Sequence, residues 1–102
     1  QAEELDLAIA VDRLERATIL KVTRLQRRWA GLRSFAPDRT PVAGFDPSTE
    51  GFFWLAGQGG YGIQTSSALG RLAAALAAGG SLPPDIEQEG IAAADLSPAR
   101  LR

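Results

Sequence analysis

The sequence predicts an α+β fold with a small, mainly antiparallel sheet and two main helices. Two stretches, one near the start and one after the middle of the chain, carry apolar residues at helical spacing. Between them lie three short apolar stretches, separated by turns rich in proline or glycine. With 102 residues, of which 45% are hydrophobic and 23% charged, the chain is long enough for one small domain.

The first predicted helix covers Glu3 to Ala17. Its residues Leu7, Val11 and Leu14 lie three or four positions apart, so they form one apolar stripe. Charged residues occupy most of the remaining positions. This pattern is typical of an amphipathic helix that packs one face against a neighbour.

The first predicted strand begins directly after this helix. From Thr18 to Leu25 apolar and polar residues alternate and β-branched residues are frequent, as in a half-buried strand. The pattern allows this strand to run on towards Phe35. Trp29 and Leu32 are then expected as its later apolar anchors, with Trp29 in the core.

Two further strands are predicted after a proline-rich turn at residues 37–41. The second strand is expected at Val42 to Phe45, followed by a turn at residues 46–51. The third covers Phe52 to Ala56, and its continuous apolar character predicts burial on both faces, with Trp54 in the core.

The second main helix is predicted from about Gly62 to Ala78. Leu69, Leu72 and Leu76 form its apolar stripe, and Gly79-Gly80 is a typical C-terminal stop. Beyond this stop the sequence predicts only one short helical turn, within residues 91–96.

Composition excludes several kinds of chemistry. The chain contains no cysteine and no histidine, so thiol and Ser-His-Asp catalysis are excluded. No close set of carboxylates has the spacing of a metal-binding loop, and we predict no metal site.

Five basic residues lie between Ala17 and Pro37 without an acidic one, but the net charge of −1 and the lack of a nucleic-acid-binding motif argue against a nucleic-acid partner. No apolar run is long enough to cross a membrane.

The most informative motif is the stretch Gly57-Gln58-Gly59-Gly60-Tyr61-Gly62, which follows the third strand and precedes the second helix. Glycines have no β-carbon, so their backbone N–H groups can approach a flat or anionic ligand closely. The positive end of the helix dipole points in the same direction. A simple tight turn is the alternative interpretation. The motif is not a dinucleotide fingerprint, since the strands before it are joined by hairpin-length turns and the next acidic residue is Asp85.

Three motifs in this order resemble the C-terminal segment of FAD-dependent oxidoreductases of the D-amino acid oxidase family, which includes glycine oxidases and D-amino acid dehydrogenases. They are residues 28–35 (RWAGLRSF), 37–42 (PDRTPV) and 51–65 (GFFWLAGQGGYGIQT). The similarity extends from the first helix to residues 96–100. It implies that residues 1–102 are the C-terminal portion of a two-domain flavoenzyme whose N-terminal FAD-binding half is not in this sequence.

The resemblance implies specific roles. Arg33 lies where such enzymes bind the substrate carboxylate, and Tyr61 could line the substrate side. The resemblance also implies that the glycine-rich turn and the following helix start lie at the pyrimidine end of the flavin, with these cofactor-binding residues: Gly59, Gly60, Tyr61, Gly62, Ile63 and Gln64. A surface arginine that caps a strand is the alternative for Arg33, and simple packing over the glycine turn is the alternative for Tyr61.

The resulting functional hypothesis is an FAD-dependent oxidation of the C–N bond of an amino acid or related amine. The expected partners are that small-molecule substrate and the N-terminal FAD-binding half, and the chain alone is expected to be inactive. The chain begins at Gln1 and contains no methionine, so we expect it to be part of a longer protein. Its ordinary composition and the lack of a bilayer-length apolar run predict a cytoplasmic location. Self-association through exposed apolar surface is also expected. The alternative is a stand-alone, non-catalytic binding or regulatory module related to the oxidase C-terminus.

Overall fold

The computed structural model describes residues 2–102, and the chain divides into two units at the boundary between Leu32 and Arg33. The first unit contains helix α1 (Glu4–Ala17), which confirms the first predicted helix. The side chain of Thr18 donates a hydrogen bond to the carbonyl of Leu14 and satisfies part of the helix end.

Residues 18–32 form neither helix nor strand, so the strand predicted from Thr18 to Leu25 is wrong. A strand requires a neighbouring strand to accept and donate its backbone hydrogen bonds. Here the N–H of Val22 instead donates to the Glu15 carboxylate at 2.9 Å. The expected anchors Trp29 and Leu32 are 79% and 105% exposed, so neither belongs to a core in the described structure.

The second unit begins with a β-hairpin. Strands β1 (Val42–Phe45) and β2 (Phe53–Ala56) are antiparallel, with Val42 opposite Ala56. Both strands were predicted, and this hairpin makes the fold α+β with a small antiparallel sheet, as expected. The hairpin turn is closed by a hydrogen bond from the N–H of Asp46 to the carbonyl of Phe52.

Two expectations about β2 are wrong. Its central residues Trp54 and Leu55 are 39% and 46% exposed, so the strand is not buried on both faces and Trp54 is not a core residue. The indole N–H of Trp54 donates a 2.9 Å hydrogen bond to the Asp46 carboxylate. This polar partner lies at the hairpin turn and keeps one edge of the ring outside the core.

Helix α2 (Gly62–Ala77) confirms the second main helix. Gly79 has a φ of 77°, and its N–H donates to the carbonyl of Leu76, which ends the helix as predicted. Leu72 and Ala73 on this helix are buried. Leu72 forms the core of the unit together with Ala43, Ile86 and Leu96.

Three short helices complete the second unit. They are α3 (Pro84–Glu87), α4 (Ala93–Leu96) and a 3-10 helix (Pro98–Leu101). The predicted helical turn within residues 91–96 is confirmed as α4. The other two were not predicted, because four residues are too few to show a helical period. Among the described residues, no helix has both the length and the apolar character needed to cross a bilayer.

Candidate functional site

The glycine-rich turn joins β2 to α2 and depends on glycine at two positions. Gly57 and Gly59 have φ values of 71° and 53°, in the left-handed region that other residues seldom adopt. A β-carbon on Gly59 would also lie only 2.7 Å from Cδ1 of Phe35. The backbone of Gly59 therefore occupies a place that leaves no room for a side chain.

Residues 33–35 lie beside this turn in an antiparallel arrangement. Phe35 forms an isolated antiparallel bridge with Gln58, and the N–H of Gly59 donates to the carbonyl of Ser34 at 3.0 Å. This register places Arg33 opposite Gly60. Nη1 of Arg33 lies 3.5 Å from the position of a β-carbon built on Gly60. The predicted substrate-binding arginine and the predicted cofactor-binding turn are thus neighbours.

Several backbone donors of the turn face no protein acceptor. The N–H groups of Gly59 and Tyr61 bond to Ser34 and Gln58, within the turn and its neighbouring segment. No acceptor in residues 2–102 receives a hydrogen bond from the N–H groups of Gly60, Gly62, Ile63 and Gln64. Donors of this kind are available to an external ligand.

The electrostatics of the site favour an electron-rich or anionic ligand. The 16-residue helix α2 begins at Gly62, and its dipole places a partial positive charge there. Its first turn contains no acidic residue, and the described structure gives Tyr61 no side-chain cap on this helix end. The guanidinium of Arg33 adds a full positive charge beside Gly60.

The side chains at the start of α2 are open to solvent. Ile63 is 95% exposed and Tyr61 is 44% exposed. The hydroxyls of Thr65 and Ser66 donate to the carbonyls of Tyr61 and Ile63 within the helix. The start of α2 therefore exposes the Tyr61 ring, the Ile63 side chain and free backbone N–H groups to solvent.

The structure brings the predicted site residues into one region and adds one that was not predicted. Arg33, Gly60, Tyr61 and the first residues of α2 lie around the same turn, while their roles in binding stay predictions. The added residue is Phe35, whose ring packs against Gly59. Phe35 ends the motif at residues 28–35, but no sequence signal indicates its contact with the turn, because this contact depends on a bridge between residues 23 positions apart.

The turn, the free N–H groups and the arginine can bind two kinds of chemical group. Free backbone donors within one turn and helix start suit the acceptor atoms along the edge of a planar ring. A guanidinium donates two parallel hydrogen bonds and therefore suits a carboxylate.

Comparison with protein families gives a match over most of the chain. A family model described as FAD dependent oxidoreductase matches residues 4–76, which include Arg33 and the complete glycine-rich turn.

Proposed function

The chain belongs to the FAD-dependent oxidoreductase family, and we propose that it forms the substrate-binding and flavin-contacting part of an enzyme that oxidises the C–N bond of an amino acid or related amine. FAD is the cofactor of this family. When bound, FAD supplies the hydride acceptor for the oxidation. The contribution of this chain is to bind and orient the substrate and one edge of the cofactor.

The glycine-rich turn and the start of α2 are proposed to contact the flavin. Four N–H groups without a protein acceptor, those of Gly60, Gly62, Ile63 and Gln64, support this role. The lack of a side chain at position 60 lets a planar ring approach the backbone there, whereas the Phe35 ring fills the space beside Gly59. These features match the acceptor-rich edge of a flavin ring, which can receive several hydrogen bonds at once.

Arg33 is proposed to hold the substrate carboxylate, with Tyr61 beside the bound substrate. The observation that carries this proposal is the 3.5 Å separation between Nη1 of Arg33 and the β-carbon position of Gly60. A carboxylate on Arg33 would therefore lie next to the turn that contacts the cofactor. If the amine arrives in its neutral form, no residue of this chain needs to remove a proton.

A separate FAD-binding half with a dinucleotide fingerprint completes the proposed enzyme. The described turn has free N–H groups for one edge of the cofactor but no dinucleotide fingerprint for its pyrophosphate. We therefore propose that the chain alone is inactive. We also propose a cytoplasmic location for the whole enzyme, which rests on the sequence composition alone. Its substrates are glycine or D-amino acids, or close relatives of them.

The test is reconstitution of the chain with an FAD-binding half and FAD, followed by anaerobic addition of glycine or D-amino acids. We expect the flavin absorbance to bleach, and the second-order rate constant of flavin reduction to fall about a hundredfold or more in Arg33→Ala. Arg33→Lys keeps the charge but not the planar pair of donors and should recover only part of the loss. Arg27→Ala removes the same charge from an exposed position and serves as the matched control.

Two results would contradict the proposal. The first is bleaching that is equally fast in Arg33→Ala and Arg27→Ala, which would remove Arg33 from carboxylate binding. The second is a well-folded, FAD-loaded complex that no amino acid or amine reduces. That second result would favour the non-catalytic binding module.

A further inference from the structure

We propose that Phe35 is a positioning residue that fixes Arg33 against the glycine-rich turn. The inference rests on the proposed function only for the role of Arg33 in carboxylate binding. The position of Arg33 itself is a property of the folded chain. It can therefore be tested without substrate or FAD.

The first observation is the contact between the Phe35 ring and Gly59. The ring atoms Cδ1 and Cζ lie 2.7 Å and 2.9 Å from the position that a β-carbon on Gly59 would take. The ring thus occupies the volume that glycine leaves free. A smaller side chain at position 35 would leave that volume empty, and the turn could then move into it.

The second observation is the backbone pairing on both sides of this contact. The bridge between Phe35 and Gln58 and the hydrogen bond from Gly59 to Ser34 are adjacent. Together they set the register that places Arg33 opposite Gly60. A bridge of this length is weak when it stands alone, because a short pairing gains few hydrogen bonds for the chain entropy it removes. The packing of the ring on Gly59 gives the pairing a second point of attachment.

The third observation is that the guanidinium of Arg39 lies over the Phe35 ring. The guanidinium carbon of Arg39 lies 5.7 Å from the centroid of the Phe35 ring, within the range of a cation–π interaction. The N–H of Arg39 donates to the carbonyl of Ala36 at 2.9 Å and closes the turn that follows Phe35. Asp38 in this turn is bound by Arg100. The ring therefore lies beside a turn that a backbone hydrogen bond closes and that the ion pair between Arg100 and Asp38 joins to the C-terminal part of the second unit.

The fourth observation is that the hydrophobic core does not account for Phe35. The ring is 47% exposed and does not belong to the core of Ala43, Leu72, Ile86 and Leu96. Phe45 has the same exposed fraction and packs against Phe53 at a centroid distance of 5.0 Å, away from the glycine-rich turn. Phe45 is thus a matched control for the loss of one half-exposed phenyl ring.

The experiment uses NMR on the 102-residue chain. Two quantities are measured: the nuclear Overhauser effect between the Arg33 side chain and Gly60, and amide hydrogen exchange at Gly59 relative to Leu72 in α2. In Phe35→Ala we expect the Overhauser effect to disappear and the relative exchange at Gly59 to rise by about tenfold or more. In Phe45→Ala we expect neither change. The Leu72 amide reports whether the unit remains folded.

Measuring the effect of Gly59→Ala with and without the Phe35 ring tests the contact itself. Gly59→Ala should speed local exchange strongly when Phe35 is present, because the new methyl group meets the ring. The same substitution in the Phe35→Ala background should have a clearly smaller effect, because the methyl group then has room. Effects that are equal in the two backgrounds would show that the ring and Gly59 do not act together, and the proposal would be overturned.

Further outcomes separate this inference from the proposed function. An intact Overhauser effect in Phe35→Ala, or its equal loss in Phe45→Ala, overturns the positioning role while leaving Arg33 as a carboxylate ligand. Titration with acetate then tests the ligand role, since acetate should shift the Gly60 amide in the original chain but not in Arg33→Ala. An acetate response that persists in Arg33→Ala overturns the carboxylate role. The position of Arg33 would still depend on Phe35.

Discussion

Arg100 and Asp38 form a two-point ion pair across 62 positions of sequence, with Nε to Oδ2 at 2.7 Å and Nη2 to Oδ1 at 3.1 Å. The Arg100 side chain is only 15% exposed. It also donates to the carbonyls of Thr40, Pro41 and Ser97. The Arg100 side chain thus connects the 3-10 helix to the turn that precedes β1.

We expect Arg100→Ala to lower the free energy of unfolding of the second unit by about 2 kcal/mol, because three backbone carbonyls lose a charged donor. Urea unfolding measures this change. The control is Arg71→Ala, which breaks an equally short ion pair with Asp85, at 2.8 Å, whose side chains are 55% and 61% exposed. Since exposed pairs contribute little, its urea midpoint should barely move. Equal losses in the two variants would contradict the structural role of Arg100.

Gly59→Ala should be much more destabilising than Gly51→Ala. Both glycines have left-handed φ values, 53° and 76°, so an alanine at either position carries a backbone cost of about 1 kcal/mol. A β-carbon on Gly51 meets nothing within 4 Å, whereas one on Gly59 collides with the Phe35 ring. We expect a total loss of about 3 kcal/mol for Gly59→Ala. Chemical unfolding of both variants gives the comparison, and equal losses would mean that the ring moves away freely.

Leu72→Ala tests the small core. Leu72 is 3% exposed and packs with Ala43, Ile86 and Leu96 between α2 and the hairpin. Removing its side chain leaves a cavity and should cost about 3 kcal/mol. Leu55→Ala is the control, because Leu55 is 46% exposed and does not belong to this core. A loss for Leu55→Ala as large as that for Leu72→Ala would contradict the assigned core.

The stability of the second unit should fall at acid pH. Hydrogen bonds from Trp54 and from Ser48 hold the pKa of the Asp46 carboxyl well below its usual range, and the hydrogen bond from Arg100 lowers that of Asp38. Because these pKa values are lower in the folded than in the unfolded chain, their stabilisation is complete above the unfolded value of about 4. This stabilisation is lost as the pH falls through the pKa values of the two carboxyls in the folded chain.

The pH dependence is measured by urea unfolding at a series of pH values. The chain has no histidine, so we expect the free energy of unfolding to stay nearly constant between about pH 5 and 8. Below this range it should decline, and the decline should be smaller in Asp46→Asn, which cannot be protonated. An acid decline of the same size in Asp46→Asn would exclude this carboxylate as its source.

Local patterns in the sequence were sufficient for the elements that depend on near neighbours. The helix at Glu4–Ala17, the helix at Gly62–Ala77 and the hairpin strands follow from apolar spacing, glycine stops and proline-rich turns. The strand predicted from Thr18 to Leu25 failed because a strand also needs a partner, and its alternation alone cannot supply one. The same segment shows why Trp29 was wrongly expected in a core.

The candidate site could be predicted residue by residue but not as an arrangement. Arg33 and the glycine-rich turn were each recognised from sequence. Their proximity depends on the bridge between Phe35 and Gln58, and no local pattern encodes a single long-range bridge. The packing of Phe35 against Gly59 is invisible in sequence for the same reason.

Gly60→Ala should separate binding from stability. Gly60 does not have a left-handed backbone, and a β-carbon there would meet Nη1 of Arg33 at an ordinary contact distance of 3.5 Å. The free energy of unfolding should therefore change by less than about 0.5 kcal/mol.

The added methyl group would nevertheless stand between the guanidinium and the turn, where we propose that substrate and flavin meet. We expect a loss of about tenfold in kcat/KM of the enzyme reconstituted with FAD, because small displacements of reacting groups slow catalysis strongly. Gly70→Ala, inside α2 with nothing within 4 Å of the added methyl group, should leave kcat/KM unchanged. Activity retained in Gly60→Ala would place the substrate away from Arg33 and this turn.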